Sequence, residues 1–404
     1  MKSDAALGVE GTVILKPGRE GPARAGHPWI FSGAIAELRG EEKPGAWVRV
    51  LAGDSSLIGM GTYNPRGAIA VRLVALGEAA LDAGLFRGRI DDALRLREAI
   101  GLAGDGGFRL VNGEGDSLPG VVVDVYAGFA VLQIITAGAE RWRDWILAAL
   151  AEVPGLRGVF ERSAGGARRE EGLQDRTGVA WGEAPPERVE IAEGTARFQV
   201  DVRTGQKTGF YLDQRGNRAR VGGLARGHRV LNCFAYSGGF AVHAGLGGAR
   251  EVVSVESSGP ALRLARENWA LNGLDPARAE WVNADVFDYL TTARGHGEPA
   301  FDLIVLDPPP FARHRNDRDR AIRGYRDLNR RALRLLEPGG LLFTFSCSAH
   351  VARDAFEHVV ATSAGPGMRL QLLERPSFEA DHPVLAAHGE GEYLKGLVVR
   401  LAVD

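Results

Sequence analysis

Apolar positions come along this chain in short blocks of two kinds. Near the amino terminus they alternate with polar ones at 11–15, 47–51, 56–63 and 68–73, the period of half-buried strands. Turn chemistry separates these blocks: Lys16-Pro17-Gly18, Lys43-Pro44-Gly45, Ala52-Gly53-Asp54 and Asn64-Pro65-Arg66-Gly67. Between the first two lies Gly26-His27-Pro28-Trp29-Ile30-Phe31-Ser32, too short of period to be a long helix. Residues 8–76 therefore read as a small, mostly β unit. From 77 to 190 the pattern predicts a helix at 83–100, a strand at 109–112, a turn at Gly113-Glu114-Gly115-Asp116, strands at 120–126 and 129–136, a helix at 141–152 and a strand at 158–161, together a small α+β layer. The polar, Gly-rich stretch 162–176 reads as a mobile loop.

From 191 onward the blocks change character. Continuous apolar runs at 229–233, 251–255, 279–282, 301–306, 340–345, 369–373 and 394–401 alternate with helical stretches at 260–272, 320–336 and 351–363. Strands and helices in alternation signal a parallel sheet, so the fold class is α/β for this third unit, 191–404. Glu337-Pro338-Gly339-Gly340 reads as the stop of one helix and the turn into the next strand.

Composition narrows the field. Hydrophobic residues at 45% and charged ones at 25% are ordinary for a globular protein. No apolar run reaches membrane-spanning length, and Met1-Lys2-Ser3-Asp4-Ala5 opens no signal-peptide apolar region, so no membrane partner is expected. Two cysteines, Cys233 and Cys347, exclude a disulfide framework or a cysteine-rich zinc site, and no metal is expected. A reducing cytoplasm suits such a chain. The net charge of −2 argues against a protein wholly devoted to coating nucleic acid, but it leaves room for a local basic face.

Four strand-end signals then fall in order. Phe234-Ala235-Tyr236-Ser237-Gly238-Gly239-Phe240 follows the first strand; glycine there lets backbone approach a ligand at a helix start. It is not the G-x-G-x-x-G dinucleotide fingerprint. Glu256 ends the next strand, about where a carboxylate can take a ribose diol. Asp285, after the third strand, suits the amino group of an adenine. Each carboxylate equally suits a helix cap, and Gly238-Gly239 alone suits any tight turn. As a series they describe an adenosyl ligand with no pyrophosphate to cradle, which fits S-adenosylmethionine.

The fourth signal is Asp307-Pro308-Pro309-Pro310-Phe311, and Ser346-Cys347-Ser348 ends the strand after it. A free cysteine is commonly a small buried hydrophobe. At a strand end beside the Asp307 loop, its thiolate suits attack on C6 of a pyrimidine, making C5 nucleophilic toward a methyl group. Asp307 suits the base edge near N3, as hydrogen-bond partner and proton source, or else only shapes its loop. Cys233 reads as structural.

Residues 313–334 hold nine arginines, Arg313 the first, against three aspartates. They suit phosphate contacts or a solvated helix face laced by i,i+4 pairs. Phe311 and Tyr325 suit either stacking on an unpaired base or burial.

With these strings in view, the chain resembles the bacterial 23S ribosomal RNA cytosine-5 methyltransferases that carry an N-terminal PUA domain. The resemblance runs through His27-Pro28-Trp29-Ile30-Phe31-Ser32, Tyr63-Asn64-Pro65, Leu118-Pro119-Gly120, Gln206-Lys207-Thr208-Gly209-Phe210-Tyr211-Leu212-Asp213-Gln214-Arg215, the 232–240 turn, Ser346-Cys347-Ser348, Asp381-His382-Pro383 and Glu392-Tyr393-Leu394-Lys395-Gly396. It implies a PUA RNA-binding domain at 8–76, a central α+β domain at 77–190 and a class I (Rossmann-like) methyltransferase domain at 191–404. It implies S-adenosylmethionine as cofactor, held by Tyr211, Asp213, Phe234, Tyr236, Ser237, Gly238, Glu256, Asp285 and Asp307, with Cys347 as nucleophile and Asp307 in a catalytic role. Ribosomal RNA is the implied partner. Two departures stand out: Pro310 replaces the family's usual lysine, and the Asp307 loop lacks the second cysteine of many RNA cytosine-5 methyltransferases. Methylation of a base nitrogen and a non-catalytic assembly role remain as alternatives.

Overall fold

A computed structural model describes residues 8–102, 106–293, 301–312 and 315–402. Arg313 and Met1–Ala5 lie outside the described residues. The chain divides into two compact units, one of Met1–Ile191, Val200–Leu212 and Ala380–Gly391, the other of Ala192–Gln199, Asp213–Glu379 and Glu392–Asp404.

The first unit holds two sheets. The amino-terminal one contains β1 (Gly11–Leu15), β2 (Trp29–Phe31), β3 (Ile35–Gly40), β4 (Ala46–Leu51), β5 (Leu57–Tyr63) and β6 (Ile69–Leu76), in the order β2-β6-β5-β4-β1-β3. The next contains β7 (Gly107–Asn112), β8 (Val121–Tyr126), β9 (Phe129–Ile134), β10 (Gly158–Ser163) and β11 (Arg176–Gly182), in the order β11-β10-β9-β8-β7. One apolar cluster joins them: Trp47 and Met60 of the first sheet pack with Phe86, Trp142 and Val123 of the second layer. The helix Ala83–Ala99 supplies Phe86, Ile90 and Ala93 from one face and is capped by Asp82, which accepts from Leu85 N at 3.0 Å.

Three strands of this unit escape the sequence pattern. β2 is three residues long, and β3 and β11 are edge strands with mostly exposed or half-buried side chains. The helix expected at 141–152 is two helices, Ala137–Arg141 and Arg143–Leu150, broken at Trp142. The stretch 162–176 is not a bare loop. It contains the helix Gly166–Glu170, and the buried Arg168 donates to the carbonyls of Gln174 at 2.6 Å and Ile134 at 2.7 Å and to Glu140 at 2.8 Å.

A hairpin, β12 (Val189–Glu193) and β13 (Ala196–Val200), precedes the large sheet. That sheet comprises β14 (Arg229–Cys233), β15 (Glu251–Glu256), β16 (Ala279–Asn283), β17 (Phe301–Leu306), β18 (Leu336–Ser346), β19 (Leu370–Glu374) and β20 (Lys395–Leu401). Its order is β16-β15-β14-β17-β18-β20-β19, parallel as far as β18, with β20 antiparallel to both neighbours. Alternate residues feed two cores. Leu231, Ile304, Leu306 and Leu342 face one layer of helices; Val230, Leu303, Val305 and Phe343 face the other. Burial on both faces is why these strands read as unbroken apolar runs.

The expectation for Glu337-Pro338-Gly339-Gly340 is corrected. The helix ends at Leu333, and β18 begins at Leu336. Phe301 pairs with Leu336 and Leu303 with Leu341, so the four residues form an irregularity inside the strand. Gly339 there has φ +84°. A bulge tolerates the proline because its missing N–H is not needed by the ladder.

A buried ion pair anchors the helix Arg215–Leu224 in this unit. Arg218 Nε donates to Glu193 Oε1 at 2.7 Å, and His243 Nε2 lies 2.9 Å from the same oxygen. Burial alone would raise the Glu193 carboxyl, but the Arg218 guanidinium and His243 overcome it and hold the group at about 2, below its ordinary 4.5. A depressed folded value gives stability that is present above 4.5 and lost as pH falls through about 2. We expect Glu193→Gln to cost ~3–5 kcal/mol at neutral pH by leaving Arg218 buried and uncompensated. In urea titrations, the wild-type advantage over that variant should shrink as pH falls across this window.

Candidate active site

The parallel strands end at one edge, and the chain reverses direction across the sheet between β14 and β17. That is where an open α/β sheet leaves a crevice. β14 stops at Cys233, whose thiol is fully buried and pushed up by that burial, consistent with a structural role. The next residues take a tight path: Phe234, Tyr236 and Gly238 have φ of +59°, +46° and +82°. Two side-chain-bearing residues in the left-handed region are strained, as is common where backbone is shaped for a ligand. Gly238 N closes the turn on Ala235 O at 2.9 Å.

Glu256 fixes this turn. Its Oε2 accepts from Tyr236 N at 3.0 Å, and its Oε1 accepts from Ser258 N at 2.8 Å and Ser257 Oγ at 3.3 Å. A carboxylate has about four acceptor sites, so roughly one remains for a ligand hydroxyl. Asn283 Nδ2 holds the Glu256 and Ser257 carbonyls, both at 2.9 Å. Asn268, a buried residue that sequence reasoning missed, donates to Ser237 O at 3.0 Å and accepts from Gln199 N at 2.7 Å. The Ser237 hydroxyl is buried with no hydrogen-bond partner among the described residues. An orphaned hydroxyl beside a strained turn and a carboxylate with spare capacity fits an adenosyl ligand. Asp285 does cap its helix: Oδ1 accepts from Phe287 N at 2.8 Å and Asp288 N at 3.2 Å. Capping engages one oxygen of an exposed carboxylate and does not conflict with ligand binding.

Asp307 and Cys347, the residues expected to face an acceptor, follow β17 and β18. Asp307 Oδ1 accepts from Gln214 Nε2 at 3.0 Å, and Gln214 is itself held by Asn217 at 2.6 Å. Gln214 stands at the start of the helix that Glu193 anchors. Buried Asp213 accepts from Tyr393 Oη at 2.6 Å. Tyr211 belongs to the first unit, where its hydroxyl donates to Gln206 at 2.6 Å and Lys207 Nζ sits 4.4 Å above its ring.

Cys347 is half-buried, with its thiol 3.7 Å from the Pro308 carbonyl. The two loops are tied by the next residue. Ser348 Oγ accepts from Phe311 N at 3.1 Å and Ala312 N at 3.3 Å. With both lone pairs used, its own hydrogen must go to Tyr325 Oη, 2.9 Å away. Burial pushes the Tyr325 hydroxyl up to about 12, so it stays protonated. Tyr325 is fully buried and packs on Phe311, with ring centroids 4.6 Å apart. Burial, not base stacking, is therefore its role.

The helix Arg318–Leu333 buries Ala321, Tyr325, Leu328 and Ala332 and exposes Arg318, Arg320, Arg323 and Arg330. Local pairs account for some of the charge, Arg320 with Asp317 at 2.7 Å and Arg331 with Asp327 at 2.6 Å. The rest is a basic face directly after the Asp307 loop.

Comparison with known proteins identifies the family. Residues 173–390 match the family model for S-adenosylmethionine-dependent methyltransferases, and 13–75 match a PUA-like domain. "Ribosomal RNA large subunit methyltransferase I" of Aeromonas salmonicida is 44% identical over 96% of this chain and 98% of its own, and that of Erwinia tasmaniensis 41% over 96% and 99%. In fold, a Streptococcus mutans protein described as a SAM-dependent methyltransferase superposes with a TM-score of 0.84 at 24% identity, over 96% of this chain and 99% of its own. A Cβ at Gly238 would lie 2.9 Å from Ala265 Cβ. That clash, added to the left-handed backbone, predicts about tenfold weaker S-adenosylmethionine binding for Gly238→Ala, read by calorimetry. With the family model covering more than half of the chain and curated relatives aligned over nearly all of it, the protein belongs to the S-adenosylmethionine-dependent methyltransferases, with a PUA-like domain at its amino-terminal end.

Proposed function

We propose that this protein forms 5-methylcytosine in 23S ribosomal RNA through a transient bond between Cys347 and the target base. The half-buried thiol at the end of β18, beside the Asp307 loop, carries the reading. Its substrate class follows from the relatives, whose names specify large-subunit ribosomal RNA. The exposed arginines after the Asp307 loop suit the phosphates of that RNA. We also propose the division into a PUA-like domain at 8–76, a central domain at 77–190 and a methyltransferase domain at 191–404, supported by their separate sheets. A reduced, reactive thiol suits the cytoplasm.

In this scheme Phe234, Tyr236, Ser237 and Gly238 receive the donor, Glu256 takes its ribose and Asp285 its adenine. Asp213 and Asp307 complete the donor site within the second unit. When bound, the sulfonium supplies an electrophilic methyl group. Cys347 attacks C6 as the thiolate, and the electron pair displaced from C6 makes C5 nucleophilic. Asp307, oriented by the Gln214 amide, bonds to the base edge near N3 and supplies a proton as the adduct forms. After C5 is methylated its proton leaves to solvent, the C5–H electron pair restores the C5=C6 double bond, the sulfur–carbon pair returns to sulfur, and the proton at N3 returns to Asp307.

The decisive experiment is mass spectrometry of ribosomal RNA after incubation with wild type and Cys347→Ala. We expect 5-methylcytosine from wild type and none from the variant, with donor binding retained. Full methylation by Cys347→Ala would point instead to direct transfer onto a base nitrogen.

A further inference from the structure

β20 runs backward relative to β18, so its first residue arrives at the edge where β18 ends. That residue is Lys395, paired across the sheet with Ser346. Its Nζ donates to the Ser348 carbonyl at 2.8 Å. The lysine therefore brackets Cys347, touching the residue on either side of it. It is 4% exposed, and among the described residues no carboxylate lies within ion-pair distance of Nζ. Burial pushes the amine down to about 8, while the charge available on Cys347 pulls it back up.

An ammonium buried without a counter-ion is costly, and an apolar residue would fill the space more stably. A second cation adds to the anomaly. Arg353, at the start of the helix Arg353–Ala361, has Nη1 buried with no partner among the described residues and repels Lys395. A buried ammonium with a second cation acting on it calls for an anion that the resting protein can form. The groups facing that place are Lys395 from β20, Arg353 from its helix, the neutral Tyr325 hydroxyl from the arginine-rich helix, the Asp307 loop and Cys347 itself. Asp307 accepts from the Gln214 amide through Oδ1.

We propose that Lys395, reinforced by Arg353, is the positioning counter-charge that holds Cys347 as a thiolate ready to add to the base. The inference rests on the reading of Cys347 as nucleophile. The thiol proton leaves to solvent, the sulfur lone pair forms the S–C6 bond, and that pair returns to sulfur on release. The ammonium keeps its three protons throughout, so its positive charge favours the thiolate both before attack and after elimination.

The test is a pH titration of thiolate ultraviolet absorbance on the full chain, with Cys347→Ser as the blank; buried Cys233 is common to both and subtracts out. Wild type should titrate at least about one pH unit below an ordinary thiol near 8.5. Lys395→Met should move the midpoint up by about one unit or more, and Lys395→Arg should restore it. A wild-type midpoint at the ordinary value, or one unmoved in Lys395→Met, overturns the proposal. Should Lys395→Met not fold, the wild-type midpoint alone decides. The assay reads thiol acidity, not methylation. An acidic thiol in a chain whose Cys347→Ala form still makes 5-methylcytosine would refute the nucleophile and leave the counter-charge standing.

Discussion

One row of register governs the reactive edge. Val255 pairs with Cys233, Cys233 with Leu306, Leu306 with Thr344 and Thr344 with Leu397. Because side chains alternate with a period of two, a slip of one residue anywhere in that row would turn a whole strand inside out. Both faces are buried, so such a slip would carry a full layer of contacts with it. The row therefore holds Glu256, Phe234, Asp307 and Ser346-Cys347 at nearly one level without any of them having to hold it themselves.

Short-range bonds then refine what the register sets. Glu256 closes the donor turn, and Gln214 orients Asp307 from a helix pinned by the buried Glu193–Arg218 pair. Ser348 clamps the Phe311 and Ala312 amides, so the Asp307 loop and the cysteine loop move as one piece. Carboxylates first read as either ligand contacts or caps have visible structural partners: Glu256 holds the turn and Asp285 the helix start.

The sequence disclosed the large sheet well because its central strands are buried on both faces. Phe301–Leu306 and Arg229–Cys233 have the bounds that the apolar runs predict. In the first unit, β3 and β11 were opaque because they bury too little to leave a pattern. The proline in Glu337-Pro338-Gly339-Gly340 looked like a helix stop, because a bulge inside a strand depends on its neighbour and not on local propensity. Among site residues, the strand-end series was visible as motif and spacing. Asn268 and Lys395 were not, nor was the clamping role of Ser348 within its motif, because each acts through a partner brought close only by the fold: Ser237, the Ser348 carbonyl and the Phe311 amide. Gln214 and Lys395 did lie inside strings that carried the family resemblance, a signal of importance without a role attached.

The position of β20 has a consequence for how the molecule is made. It sits between β18 and β19 although it follows both in the chain. While a ribosome is still synthesising the protein, β19 has no strand to join and one side of β18 shows bare peptide groups. Open edges of this kind invite pairing with other chains. The nascent chain thus passes through an interval in which one border of β18 is uncovered and Lys395 is missing from its end, and both gaps close together when the same seven residues emerge and slot home.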